Sequence, residues 1–239
     1  MKIPIYGLEK FSLVEWPGKI SGVVFTGGCN FRCPFCHNPE LIDLQLAEKN
    51  RIKPFPWPEI EDFLKEKKSW LDAIIVTGGE PTLHENLPDF FRLIKEMGYL
   101  TALETNGSNP EMLKRIIEEN LADRIQMDIK SSLTNYGRAI GLKEPPLKKI
   151  ERSIKLLMKS NLEYEFRTTV VPGLVGEEDI TKIGEMIAGA EKIVLQQFRP
   201  IKTFDKKYQK ALPYTQVDLE KMSEKLKKFV KKIEINGIA

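Results

Sequence analysis

Cys29, Cys33 and Cys36 are the only cysteines in the chain, and all three fall in the run GGCNFRCPFCHNPE. The spacing C-x3-C-x2-C places three thiolates within eight residues. Three clustered thiolates can hold three irons of a cubane cluster, which four cysteines normally hold. One iron is then left without a protein ligand, and an open coordination position is what a metal site needs to bind a reactant rather than serve as a staple. A three-cysteine cluster is therefore a candidate reaction centre. A disulfide framework wants an even count and a secreted context; here the count is odd and no apolar signal segment opens the chain. A structural zinc ion wants four ligands, commonly as two spaced pairs. His37 could supply a fourth, but it directly follows Cys36, and adjacent side chains rarely converge on one tetrahedral ion.

Other chemistry-bearing residues recur at the ends of short apolar runs. After AIIV comes TGGEP, residues 77–81, where Gly78 and Gly79 allow a sharp turn and close backbone approach, and Glu80 presents a carboxylate. After residues 100–103 comes ETNG, whose Glu104 and Asn106 share one face by alternation. In QMDIK, Gln126, Asp128 and Lys130 share one face; charges pointing into a barrel are costly unless paired or used. An Asp128–Lys130 ion pair on the outer surface is the plainer alternative. Arg167 in FRTTVVPG needs a carboxylate partner if buried, and Glu165 or Glu104 could form a structural salt bridge with it. LQQFRP leaves Gln197 and Arg199 on one face, where they could border a ribose or a substrate. His84 reads as a cap or surface residue. No G-x-S-x-G or P-loop element occurs.

The elements that must position these groups alternate between β-rich and helical patterns, the signature of βα units on a parallel sheet. Strands are expected at 20–26, 73–77, 100–105, 124–130, 163–171 and 192–198. Helices are expected near 59–68, 86–97, after Asn109-Pro110, at 147–160 and at 177–188. A last helix is expected over 217–232, with Leu219, Met222, Leu226, Phe229, Val230 and Ile233 on one stripe and lysines off it. Six βα units predict an open, partial TIM-like barrel of the α/β class, in which function gathers at the C-terminal ends of the strands. The whole of 1–239 suits one domain, with its core about 18–200.

Composition narrows the function classes. A net charge of +3 is too small for a nucleic-acid stripe, and no apolar run is long enough to span a bilayer. Three clustered thiols without a signal segment are expected in the reducing cytoplasm. Charged residues at 30%, rich in Lys and Glu, fit a thermophile or an ordinary solvated surface.

The cysteine loop resembles the radical S-adenosylmethionine (SAM) enzymes, whose signature is C-x3-C-x-aromatic-C, with Phe35 supplying the aromatic residue. The resemblance implies a 4Fe–4S cluster on Cys29, Cys33 and Cys36 whose unique iron binds SAM. One electron then cleaves SAM to methionine and a 5′-deoxyadenosyl radical, which abstracts a hydrogen atom from the substrate. It assigns the SAM site to the GGEP residues Gly78, Gly79 and Glu80 and to ETNG (Glu104, Thr105, Asn106). The D-x-K pair Asp128 and Lys130, Arg167 before V-V-P-G, and Phe35, His37, Gln197 and Arg199 complete it. HNPEL after the third cysteine is similar to the activating enzymes of glycyl-radical proteins. LQQFRP and VEWPGK resemble the branch that activates anaerobic ribonucleotide reductase. The implied partners are that reductase and a one-electron donor such as flavodoxin or ferredoxin. The alternatives are a pyruvate formate-lyase-type activase, a small-molecule enzyme resembling 7-carboxy-7-deazaguanine synthase, and a non-catalytic iron–sulfur carrier or redox sensor.

Overall fold

The computed structural model describes residues 3–49 and 51–237. Contacts divide them into two compact units. The first takes the described residues of 1–30, 40–105 and 111–125; the second takes 31–39, 106–110 and 126–237.

The first unit opens with β1 (Ile5–Ser12) and β2 (Ser21–Thr26), continues through α1 (Leu44–Lys49), α2 (Trp57–Glu66), β3 (Ala73–Gly78), α3 (Leu87–Glu96), β4 (Leu100–Thr105) and α4 (Pro110–Glu118), and ends within β5 (Arg124–Asp128). The second carries the end of β5, then α5 (Tyr136–Ile140), α6 (Leu147–Lys159), β6 (Glu163–Val170), α7 (Glu177–Met186), β7 (Lys192–Gln197), α8 (Gln216–Leu226) and β8 (Lys232–Asn236). Strands neighbour one another in chain order from β1 to β8. An order without reversal belongs to (β/α) barrel sheets and not to doubly wound ones. The fold class is thus the expected one, with β2–β7 as the six anticipated strands.

Register explains where the loops emerge. β2 and β3 run parallel with Ser21 opposite Ala73 and Thr26 opposite Gly78, so the two strands end level. Gly27 and Gly28 therefore leave β2 beside the Gly78–Gly79 turn that leaves β3. The interior of β3, Ala73 to Val76, is buried throughout, as a strand covered on both faces requires. Helix α3 shows what holds such elements in place. Pro88 suits its first turn, Leu87, Phe90, Phe91 and Ile94 are buried, and Gly98 follows with φ +82°. Each such side chain contributes about 1.5–3 kcal/mol on burial, well beyond helix propensity. The charges of Arg92 and Lys95 ride outside and pair with Asp89, Glu119 and Asp123.

Two strands were not foreseen. β1 pairs antiparallel with β2, and its outer half, Glu9 to Phe11, is exposed. β8 pairs parallel with β7, Ile233 opposite Ile193. β8 corrects the expected last helix: α8 stops at Leu226, not at 232, and the chain turns so that Lys232 to Asn236 extend the sheet. Leu219, Met222 and Leu226 are the buried stripe of α8, while Ile233 belongs to the strand. Inside the second unit, Glu165 accepts from Gln126 Nε2 and Lys192 Nζ at 2.8 Å each, and Lys192 also meets Glu234 at 2.8 Å. This buried network joins β5, β6, β7 and β8.

Candidate functional site

In the first unit, the chemistry-bearing turns are locked backbone to backbone. Gly79 N–H donates to the Thr26 carbonyl and Glu80 N–H to the Gly28 carbonyl, both at 2.8 Å. Gly28 N–H donates to Leu41 at 2.7 Å and Cys29 N–H to Ile42 at 3.1 Å. Two glycines are required here by different constraints. Gly78 has φ +119°, and a Cβ on it would stand 2.3 Å from Thr26 N. A Cβ on Gly79 would stand 2.1 Å from the Gly28 carbonyl oxygen. The GGEP turn thus forms a side-chain-free ledge against the residues leading into Cys29.

Glu80 is fully buried, and its carboxylate accepts from Thr82 N–H (3.1 Å), Thr82 Oγ1 and Thr105 Oγ1 (2.7 Å). It caps the 3-10 turn 81–83 and ties it to the end of β4. Thr77 Oγ1 donates to Glu104 at 2.8 Å. His84 is the C-cap of the same turn, and its Nε2–H donates to the Gly27 carbonyl at 3.0 Å. Loss of water around that ring holds its pKa below the ordinary histidine value, partly offset by the hydrogen bond. This bond to Gly27 spans 57 residues, so the sequence, which suggests a cap, gives no sign of it.

Gly79→Ala is expected to be costly because the new methyl group meets backbone, which yields less easily than a side-chain tip. Overpacking of this kind destabilises by about 1–3 kcal/mol, to be read as a lowered melting temperature. An unchanged melting temperature would show that the ledge is looser than the structure places it.

In the second unit, Asp128 stands between two cations. Its Oδ1 accepts from Arg167 Nε at 3.0 Å and its Oδ2 from Lys130 Nζ at 2.6 Å. Asp128 is a carboxylate partner shown for Arg167, and Glu165, one of the two alternatives raised by the sequence, pairs with Lys192. Burial works to raise the Asp128 pKa, but the charges of Lys130 and Arg167 more than reverse this and hold it at about 2. Burial likewise works against the Lys130 charge. The Asp128 carboxylate and then the negative charge of Cys33 hold its pKa above the ordinary lysine range. The Lys130 Nζ lies 5.9 Å from the centre of the buried Phe35 ring. The Asp128–Lys130 pair thus faces the cysteine loop, unlike the outer-surface alternative.

The loop itself is braced at both ends. Cys36 N–H donates to Cys33 O at 3.0 Å, Arg32 N–H to Ile140 O at 2.8 Å and Asp205 N–H to Pro34 O at 2.8 Å. His37 Nε2–H donates to the Arg199 carbonyl at 3.0 Å and its ring stacks on Phe198 at 6.1 Å. Desolvation keeps the His37 pKa low, with the Lys130 charge acting in the same direction and the hydrogen bond opposing it. Gln197 at the end of β7 donates to the Tyr214 carbonyl at 2.6 Å, and its buried Oε1 has no hydrogen bond among the described residues. Asn106 closes an Asx turn onto Ser108 N–H at 2.9 Å.

Two supports carried no sequence signal. Tyr136 is fully buried, its hydroxyl 3.5 Å from Lys130 N; burial, with the anionic neighbours Cys33 and Asp128, pushes its pKa above the tyrosine range. Asp179 accepts from Asn135 Nδ2 (2.8 Å), Gly176 N–H (3.1 Å), Ser131 Oγ (3.4 Å) and Ser132 Oγ, fixing the loop after Lys130 to the start of α7.

None of the three cysteines is joined in a disulfide. Among the described residues no three His, Cys, Asp or Glu side chains are grouped to hold a single metal ion. A cubane makes a different demand, since each thiolate takes its own corner. The donor set fits that group: three thiols within one loop, with Lys130 interacting electrostatically with Cys33.

The model of the Radical SAM superfamily matches residues 23–186, more than half of the chain. A Methanocaldococcus jannaschii protein that carries the name glycyl-radical enzyme activating enzyme is 31% identical over 100% of this chain and 98% of its own length. The pyruvate formate-lyase-activating enzyme of Clostridium pasteurianum is 28% identical over 96% of this chain and 97% of its own. Among solved structures, Streptococcus suis SuiB bound to precursor peptide SuiA superposes with a TM-score of 0.66 at 14% identity. The match covers 90% of this chain but only 48% of SuiB, so it speaks to the fold alone.

Proposed function

Because the chain belongs to the radical SAM superfamily and to its glycyl-radical enzyme activating enzymes, we propose that it installs the glycyl radical of an anaerobic ribonucleotide reductase. The end-to-end similarity to an activating enzyme carries the activase reading. LQQFRP and VEWPGK, which resemble the reductase-activating branch, support the partner. The relatives named pyruvate formate-lyase-activating enzyme favour pyruvate formate-lyase as the second reading.

In this reading Cys29, Cys33 and Cys36 hold the 4Fe–4S cluster. Cluster and SAM together supply a carbon radical able to take a hydrogen atom from a glycine Cα, chemistry that no side chain provides. The chain's own residues bind and orient. The Gly78–Gly79 backbone takes the amino-acid end of SAM, with Glu80, Thr105 and His84 acting as positioning residues beneath it. Lys130 and Arg167, held apart and oriented by Asp128, meet the SAM carboxylate as charge-assisted donors. Gln197 offers its Oε1 to a ribose hydroxyl, which would satisfy a buried acceptor. Phe35 and Phe198 keep water from the cysteine loop.

The test is anaerobic incubation of reconstituted protein, SAM and reductant with each candidate partner, followed by electron paramagnetic resonance. A glycyl doublet is expected on the reductase and is lost when its radical glycine is replaced by alanine. A doublet on pyruvate formate-lyase alone transfers the assignment to that enzyme. SAM cleavage with no protein radical on either sinks the activase reading.

A further inference from the structure

The segment 199–210, RPIKTFDKKYQK, carries five cations, Arg199, Lys202, Lys206, Lys207 and Lys210, against the single carboxylate Asp205. Its net charge of +4 exceeds the +3 of the whole chain, so the remainder is slightly acidic. All five cations are exposed. Between them stand apolar side chains that a soluble surface would ordinarily bury: Ile201 is 80% exposed, Phe204 43%, and Leu212 just beyond is 86%. The segment is nonetheless built. Tyr208 is buried, Thr203 Oγ1 donates to Asp205 O at 2.8 Å, and the Asp205 carboxylate caps Lys207 N–H at 3.0 Å. Its tether falls at one place: Asp205 N–H donates to the carbonyl of Pro34, the residue between Cys33 and Phe35. The preceding residue in the patch, Arg199, accepts from His37, which follows Cys36.

We propose that this basic, apolar-tipped segment is the docking surface for an acidic one-electron carrier protein. The inference rests on the reading of the cysteine loop as a cluster site. Three observations select this occupant. The surface adjoins the cysteine loop through two hydrogen bonds, and electron transfer requires the donor to come close to its acceptor. Its charge calls for an acidic partner, and a concentrated patch on a near-neutral chain steers encounter. Its few apolar tips among lysines suit the small, transient interfaces of redox partners and not a large permanent one. In the step served, the reduced carrier gives up one electron and is oxidised by one unit, and the cluster is reduced by one; no atom or proton is transferred.

The test uses the reconstituted full chain with SAM. One arm is driven by a reduced acidic flavodoxin and the other by photoreduced 5-deazariboflavin, a small neutral reductant that needs no docking surface; 5′-deoxyadenosine is measured in both. K206E/K210E is the variant, since neither lysine belongs to the cluster or SAM residues. In the flavodoxin arm at low salt its rate is expected to fall on the order of tenfold or more, and the wild-type rate to fall steeply with added salt. The deazariboflavin arm should be unchanged. Equal rates for variant and wild type with flavodoxin overturn the proposal, as does an equal loss in both arms. It is also overturned if the variant is reduced normally and loses only radical transfer to the glycyl-radical protein, because the surface then belongs to that substrate. Failure of the wild type to cleave SAM in the deazariboflavin arm would instead refute the cluster reading itself.

Discussion

Alanine in place of Cys29, Cys33 or Cys36 is expected to leave a folded chain that retains no cluster and produces no 5′-deoxyadenosine. Reconstituted wild-type protein should bind about four irons per chain, as a cubane requires, with each substitution reducing this to background. The expectation is all-or-none because each thiolate serves a separate iron corner and no further cysteine exists to replace it. None of the three is part of a disulfide, so a substitution removes no cross-link and circular dichroism should remain that of the wild type. Iron content, visible absorption and product formation check this together. Stoichiometric zinc without iron–sulfur absorption in the wild type would refute it.

The second large effect concerns Asp128. Removing its carboxylate leaves Lys130 and Arg167, both largely buried, facing each other without the anion between them. Breaking such a pair from one side costs on the order of 3–5 kcal/mol. Asp128→Asn keeps the shape and should lose most of that amount in denaturant unfolding at neutral pH. Removing one cation as well, in D128N/K130M, should recover part of it. The pH dependence has a definite sign. The folded pKa of about 2 lies below the ordinary aspartate value of about 3.9, so the stabilisation is fully present above the latter. It is lost as pH falls through the folded value, and amounts to about 2–3 kcal/mol. The gap between wild type and D128N should therefore be constant above pH about 5 and narrow below about 4. A gap that does not narrow would show that Asp128 is not the ionised partner.

The chemistry of this chain was more legible in sequence than its edges were. The cysteine spacing, the Gly-Gly turn and the alternation in QMDIK are local patterns, and local patterns survive folding. The hydrogen bonds of Glu80 were not legible, because its partners Thr82 and Thr105 lie on two elements. The bond from Arg167 to Asp128 was not legible, because it reaches across from the neighbouring strand. The end of α8 was lost because KKFVKKIEI continues both the apolar stripe and a lysine-rich helical composition. Only the short Ile233–Glu234–Ile235 alternation marks the strand, and pairing with β7 decides it. β1 escaped for the opposite reason: half exposed, with a glycine and mixed charges, it has no buried face for a pattern to report.

Those two terminal strands bear on how the protein behaves at the concentrations spectroscopy needs. β1 and β8 stand at the two ends of the strand order, and end strands are where a foreign strand could add to a sheet. On β1 the exposed residues include Glu9 and Lys10. On β8 Lys232 and Glu234 pair with each other at 2.8 Å, and Glu234 is also held by Lys192. A foreign strand laid along either end strand would have to strip water from these charges, which guards both against fibrous self-association.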